Sequence, residues 1–239
     1  MIDIHSHLLP GVDDGPQDFD EALEMLRGAE REGIIGVAAT PHILDGMSPQ
    51  LDRQIGDQFD RLKEKAGKAG IDVRLYLASE IYLRVGLEGL GRYRCGTYNG
   101  EKCYVLVEFP LYDLPPGYEG EMMRLLGVGL KPIVAHPERN LKVLARPEIL
   151  KNLVNKGILF QINAGSLTGM FGSTVRGVAA KLLEAGWVHF IASDAHDPRF
   201  RPLKLKKARD MAAKLLTPQK ADELVYHNPL KVISGKDID

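Results

Sequence analysis

The sequence predicts an α/β protein built on a parallel barrel of the (β/α) type. Short apolar runs alternate with amphipathic stretches along the whole 239-residue chain. That alternation is the pattern of βαβ units and a parallel sheet. Seven such runs occur, one short of the eight of a full barrel. A His, Asp or Glu stands at the C-terminal end of six of the seven, and in a parallel barrel all those ends meet at one mouth. A doubly wound open sheet is the main structural alternative.

The first run is Met1–His5, followed by a turn at Gly11-Val12-Asp13-Asp14-Gly15-Pro16. A helix is predicted over Asp18–Glu32, where Phe19, Ala22, Leu23, Leu26 and Ala29 fall at helical spacing. Pro16 and Asp18 suit its start and Gly33 its end. The second run, Ile34–Thr40, ends in Pro41-His42 and precedes a polar helix over Pro49–Lys68. The third, Val73–Ala78, ends in Ser79-Glu80, and the fourth, Cys103–Val107, ends in Glu108. A Pro/Gly-rich loop, Pro110–Gly120, leads to a short helix over Glu121–Leu126. The fifth run, Pro132–Ala135, ends in His136. A helix over Pro147–Lys156 precedes the sixth run, Ile158–Ile162, which ends in Asn163. A helix over Ser173–Glu184 precedes the seventh, Val188–Ala192, which ends in Ser193-Asp194-Ala195-His196. Two more helices are predicted, over Pro202–Leu216 and Pro218–Tyr226. No linker or low-complexity segment divides the chain, so residues 1–239 read as one domain.

The apolar fraction of 44% is enough for a sizeable core. The formal net charge is −1, from 31 basic and 32 acidic residues. That balance argues against a nucleic-acid groove, which carries a basic excess. No apolar run is long enough to span a membrane, and no secretory leader is visible, so the cytoplasm is the expected location. Cys95 and Cys103 match no zinc or redox spacing and read as reduced thiols.

His5 and His7 stand at i and i+2, so on a strand both imidazoles leave one face, about 7 Å apart. Joined at one mouth by Asp14, His42, Glu80, Glu108, His136, Asp194 and His196, they form a set that is costly to bury unless cations compensate it. Imidazole and carboxylate without thiolate favour Mn, Fe, Zn, Co or Mg. The set exceeds what one ion needs, so two or three bridged ions are expected. Paired ions can activate water and clamp the oxygens of an in-line displacement, which makes phosphoester hydrolysis the natural chemistry. Arg139 and Arg201 follow ligand-bearing strand ends and suit phosphate oxygens, with Arg199 as a third candidate. Asp13 suits either the site or simple turn chemistry. His189 reads as a packing residue, His227 as a helix-end residue, and Trp187 and the methionines as packing. Met170 and Phe171 are candidates to wall the pocket.

At these residues the chain resembles the PHP (polymerase and histidinol phosphatase) superfamily. The resemblance rests on Asp3-Ile4-His5-Ser6-His7, Thr40-Pro41-His42, Ser79-Glu80, His136-Pro137-Glu138-Arg139 and Ser193-Asp194-Ala195-His196. Within it the chain looks most like the manganese-dependent protein-tyrosine phosphatases of bacterial capsule and exopolysaccharide systems. The added matches are His5 through Pro16, Ala39-Thr40-Pro41-His42 and Gln161-Ile162-Asn163-Ala164-Gly165-Ser166.

The resemblance implies a distorted (β/α)7 barrel with a trinuclear centre. His5, His7, Glu80 and Asp194 would hold one ion, Glu80, Glu108 and His136 a second, and Asp14, His42 and His196 a third. Arg139 and Arg201 match the family's phosphate-binding arginines, although Pro198 alters the segment before Arg201. The implied substrate is phosphotyrosine on a bacterial tyrosine kinase that controls polysaccharide synthesis. Histidinol-phosphate phosphatase, a PHP nuclease and a non-catalytic module that binds a phosphotyrosine tail are the competing readings.

Overall fold

The computed structural model describes residues 1–238. Its strands are β1 (Ile2–Ser6), β2 (Gly36–Ala39), β3 (His42–Ile43), β4 (Arg74–Leu77), β5 (Glu80–Tyr82), β6 (Tyr104–Glu108), β7 (Lys131–Ala135), β8 (Leu159–Asn163) and β9 (Phe190–Ala192). Every strand pairing is parallel, in two ladders ordered β1-β2-β4 and β3-β5-β6-β7-β8-β9. The ladders are parts of one wall. β2 and β3 are halves of a strand interrupted at Thr40-Pro41, where proline has no N–H to offer the ladder. β4 and β5 are halves interrupted at Ala78-Ser79. Backbone bonds from Ala78 to Ala39 (2.9 Å) and from Glu80 to Pro41 (3.0 Å) carry the pairing across both breaks. Seven wall positions result.

The wall closes between its last and first strands. Ser6 and Ala195 form a parallel bridge. His7 N donates to Ala195 O at 2.8 Å and Asp194 N to His5 O at 2.9 Å. The buried Asp3 carboxylate accepts from Ser193 N at 3.1 Å. The chain is therefore a closed, distorted seven-position parallel barrel rather than an open sheet.

The helices are α1 (Phe19–Glu32), α2 (Pro49–Lys68), α3 (Tyr118–Gly127), α4 (Leu141–Ala145), α5 (Lys151–Asn155), α6 (Ala164–Thr168), α7 (Ser173–Glu184), α8 (Lys206–Leu215), α9 (Pro218–Asp222) and α10 (Asn228–Ile233). Asp18 caps α1 by accepting from Glu21 N, and Gly33 ends it in the left-handed conformation. None of these helices is long and apolar enough to cross a membrane.

Period-two alternation sorts the strand residues. Val105 and Val107 of β6, with Phe160 and Ile162 of β8, join the large apolar cluster beneath the helices. Leu106, Ile133, Ala135, Phe190 and Ala192 join a second cluster within the barrel, with Tyr98 and Ile233. The last same-face position of several strands is polar. Tyr76, Ala78 and Glu80 follow one another at i+2, as do Tyr104, Leu106 and Glu108, and Phe190, Ala192 and Asp194. Apolar filling below and ionisable side chains at the rim is the layering of a barrel whose C-terminal face carries its chemistry.

Several helical expectations needed revision. The short helix after the Pro/Gly-rich loop starts at Tyr118, behind Gly117 at φ 83°. The segment predicted over Pro147–Lys156 divides into a 3-10 turn at Pro147–Leu150 and α5. α4 and α6 were not expected. The last predicted helix is α9 followed by a π-turn, Glu223–His227, and then α10. His189 precedes β9, with its Nδ1 accepting from Phe160 N at 3.1 Å. His227 is exposed before α10 and makes no side-chain cap bond.

Candidate metal centre

The strand ends bring eight of the nine expected ligands to one mouth, and the turn between β1 and α1 brings the ninth, Asp14. His5 Nε2 and His7 Nε2 stand 3.3 Å apart. Glu80 Oε2 lies 3.2 Å from the first and 3.3 Å from the second. Asp194 Oδ1 lies 3.6 and 3.3 Å from the same two nitrogens. Donors sharing one ion at about 2.1 Å stand roughly 3.0–3.4 Å from one another, so His5, His7 and Glu80 have the spacing of a common coordination sphere, with Asp194 meeting it on the His7 side and slightly wider on the His5 side.

A second group surrounds Glu80 and Glu108. His136 Nε2 is 2.9 Å from Glu80 Oε1 and 3.9 Å from Glu108 Oε1. His42 Nδ1 is 3.0 Å from Glu80 Oε2 and 3.7 Å from Glu108 Oε2. A third group comprises Asp14, His42 and His196, with Asp14 Oδ1 3.8 Å from His42 Nε2 and 3.3 Å from His196 Nε2. His7 also belongs to this third group, its ring 3.9 Å from that of His196. Glu80, His7 and His42 are therefore shared between groups.

The donor set fits divalent cations. Glu80 Oε2 and His42 Nδ1 are buried and neither makes a well-aligned hydrogen bond. Burial works against charge on His5, His7 and His42, yet Glu80 and its neighbouring carboxylates raise all three above the usual imidazole range. Burial also opposes charge on Glu80 and Asp194, but His5 and its companions hold both well below the ordinary carboxylate range. Burial and then the nearby Glu80 charge push Glu108 up. Burial, reinforced by His7, brings His196 down to about 4. The pocket thus demands positive charge, which cations supply in place of protons.

The imidazoles are aimed by neighbours. His5 Nδ1 donates to Gln161 Oε1 at 2.7 Å, Gln161 Nε2 to Asn163 Oδ1 at 2.8 Å, and Asn163 Nδ2 to Asp194 Oδ2 at 2.6 Å. This relay fixes the His5 tautomer with its Nε2 lone pair facing the cluster. Asp13 does the same for His7, accepting from Nδ1 at 2.7 Å. It also accepts from Gly15 N at 3.0 Å and His42 N at 3.0 Å. Asp13 thus ties His7 and the His42 backbone to the turn that contains it. A Cβ on Gly15 would lie 2.3 Å from His7 O, so only glycine lets that turn fold back on the strand. Two non-glycine residues at the rim hold positive φ, His136 at 31° and Asp194 at 53°. Such conformations persist where surrounding contacts over-determine them, typically at functional sites.

Both proposed phosphate arginines reach the rim. Arg139 Nη1 donates to Asp194 Oδ2 at 3.1 Å, with its guanidinium 4.5 Å from the Phe171 ring centre. Arg201 Nη2 lies 2.7 Å from the same oxygen. Arg199 instead lines an acidic groove beside Asp18, Glu21 and Asp197. Gln161 and Asp13 were not foreseen as orienting residues. Gln161 and Asn163 stand at i and i+2, the spacing that singles out His5 and His7, but a neutral amide at that spacing carries no metal-ligand signal by itself.

A family model described as capsular polysaccharide synthesis, CpsB/CapC, matches residues 1–234. The tyrosine-protein phosphatase YwqE of Bacillus subtilis (strain 168) is 37% identical over 210 residues, 87% of this chain and 82% of its own. The tyrosine-protein phosphatase CpsB of Streptococcus pneumoniae is 31% identical over 239 residues, 98% of each. Crystal structures described as YwqE from B. subtilis and CpsB from S. pneumoniae, unique metal-dependent tyrosine phosphatases, align with a TM-score of 0.93 at 32% identity, over 100% of this chain and 96% of that one. With this barrel and these matches over nearly its whole length, the chain belongs to the CpsB/CapC family.

Proposed function

We propose that this chain is a metal-dependent protein-tyrosine phosphatase, acting as one domain over residues 1–239. The observation that carries the reading is the pair of guanidiniums, Arg139 and Arg201, at the edge of a cluster of imidazoles and carboxylates spaced for shared cations. His5, His7, Glu80 and Asp194 would hold one ion, Glu80, Glu108 and His136 a second, and Asp14, His42 and His196 a third, with manganese the first choice. Divalent ions at such a site lower the pKa of water toward neutrality and polarise phosphoryl oxygens.

The chain's own residues supply the remainder. Arg139 and Arg201 bind the non-bridging oxygens of the phosphoryl group and stabilise the charge that gathers there during in-line displacement. Asp194 holds both guanidiniums in place beforehand, so they need little reorganisation. Phe171 backs Arg139 and Gln161 keeps His5 in the correct tautomer. A tyrosine phenolate leaves with a pKa of about 10, which makes modest demands on protonation. No thiol nucleophile is available at the mouth. Cys95 is buried, its thiol pushed up to about 12 by desolvation, and Cys103 sits just before the first residue of β6, away from the strand's C-terminal end.

The relatives' names and the family's link to capsular polysaccharide synthesis support a phosphotyrosine protein as substrate. A bacterial tyrosine kinase of that system, in the cytoplasm, is the proposed partner. The test is metal analysis of the purified protein together with a phosphatase panel. Phosphotyrosine peptide should be hydrolysed far faster than phosphoserine peptide or histidinol phosphate, with activity lost to chelation and restored by manganese. Preference for histidinol phosphate, or metal-independent turnover, would overturn the reading.

A further inference from the structure

A cleft of about 470 Å³ opens beside Arg201, between the segment after β8 and the first turn of α8. Its volume is that of a site for a small ligand or a few side chains. Met170, Pro202 and Ala208 give it apolar walls, and Arg201, Lys204 and Lys207 give it three cations. No carboxylate lines it among the described residues. Lys204 and Lys207 are exposed and, among the described residues, neither has a carboxylate partner. Ser193, next to Asp194, completes the side nearest the metal ligands. Arg201 is thus common to the phosphate edge and to the cleft.

The far side of the Asp197–Phe200 turn has the opposite charge. A groove there is lined by Asp18, Asp20, Glu21, Glu24 and Asp197, relieved only by Arg199. A third depression, holding Glu24, Arg31, Glu32 and Pro198, joins the two and reaches Pro202 and Lys204, so Lys204 stands where the basic side of the Arg201 loop meets the acidic one. An anionic segment is drawn to one and repelled from the other, which selects both a sequence and a direction of approach.

We propose that the Lys204–Lys207 cleft is a specificity subsite that receives an anionic side chain of the polypeptide substrate, next to the phosphotyrosine being hydrolysed. The inference rests on the phosphatase reading for the identity of the substrate but not for the cleft's charge preference. Lys204 and Lys207 pair with the anion at the cleft rim, while Met170 and Pro202 pack against its aliphatic or aromatic stem. A carboxylate and a second phosphoryl group share this chemistry.

Three phosphotyrosine peptides test it: one flanked by Glu, one by Gln, and one by a second phosphotyrosine. Each is assayed for turnover with the wild type and the Lys204→Glu/Lys207→Glu variant, alongside p-nitrophenyl phosphate, which has no flanking residue. The variant should raise KM for the Glu peptide roughly three- to tenfold, the scale of two exposed ion pairs. The Gln peptide and p-nitrophenyl phosphate should stay within about twofold by the same reasoning. A larger loss for the doubly phosphorylated peptide would identify the phosphoryl group as the preferred anion. Equal losses for Glu and Gln peptides would overturn the proposal. Binding of the same peptides bearing a non-hydrolysable phosphonate, followed by anisotropy, separates the two readings. A charge preference that persists in binding without turnover would support the cleft and count against the phosphatase.

Discussion

Arg139 and Arg201 converge on a single oxygen, Oδ2 of Asp194, at 3.1 and 2.7 Å. The other oxygen of that carboxylate, Oδ1, faces His5, His7 and His196 at 3.6, 3.3 and 3.6 Å. Asp194 therefore divides the mouth, with the proposed metal ligands on one side and the two guanidiniums on the other. This division explains why the residue tolerates a φ of 53°. Asn163, two arginines and three imidazoles fix the side chain, and the backbone conforms.

The first prediction follows from that division. Arg139→Ala and Arg201→Ala should each lower kcat/KM on phosphotyrosine peptide by about 10²–10³-fold, the scale of losing a charge-stabilising donor. Bound metal, measured by elemental analysis, should not change. Lysine should restore little at either position, because an ammonium cannot present the same fork of donors. Loss of metal from either alanine variant would show that the arginines hold Asp194 as a ligand rather than the substrate.

The second concerns the relay behind His5. Gln161→Leu removes the acceptor for His5 Nδ1 and the donor to Asn163. Metal affinity, measured by chelator competition, should weaken about 10–100-fold, as is usual for lost outer-sphere partners of a ligating histidine. Gln161→Glu keeps an acceptor for the imidazole and should retain more of the affinity. An unchanged affinity in the Leu variant would mean that packing alone aims the ring.

The strand ends were legible because two signals coincide there. An apolar run stops where the barrel interior stops, and the first ionisable residue beyond it has to face the mouth. Glu80, Glu108 and Asp194 each continue a same-face apolar series, which any period-two reading exposes. Gln161 escaped because a neutral amide within an apolar run resembles an ordinary interruption. Its importance appears only when β8 lies beside His5. Five-residue helices such as α4 and α6 carry too little periodicity to be seen and owe their formation to tertiary packing. The charge of the Lys204–Lys207 cleft was equally hidden, because lysines just before and at the start of an amphipathic helix look like ordinary solvated residues.

The third prediction separates this site from thiol chemistry. Cys95→Ala and Cys103→Ala, singly or together, should leave kcat within about twofold, since neither thiol lies at the mouth and burial disfavours both thiolates. Cys95 is fully buried, against Met47. Its truncation should cost about 1 kcal/mol of stability by removing packed volume. Thermal unfolding would register that cost while phosphotyrosine turnover stayed level. A collapse of activity in either stable variant would require a covalent mechanism.

The fourth uses His189, which stands apart from the proposed ligands. Its Nδ1 accepts from Phe160 N, and burial lowers its pKa to about 4. An unfolded histidine titrates near 6.5, so acid protonates the unfolded chain first. Below that value the unfolded state binds more protons than the native state, and stability falls as pH drops from about 6.5 toward 4. From pH 7 to pH 5 this single group should remove about 2 kcal/mol. His189→Asn places an amide oxygen close to where Nδ1 stood and removes the titration. Urea unfolding of wild type and variant at pH 7, 6 and 5 should therefore show the variant losing about 2 kcal/mol less over the range. Because the comparison is a difference between two proteins with the same cluster at the mouth, titration of His5, His7 and their partners cancels. Parallel losses in the two proteins would mean that His189 is charged, or solvated, in the native barrel.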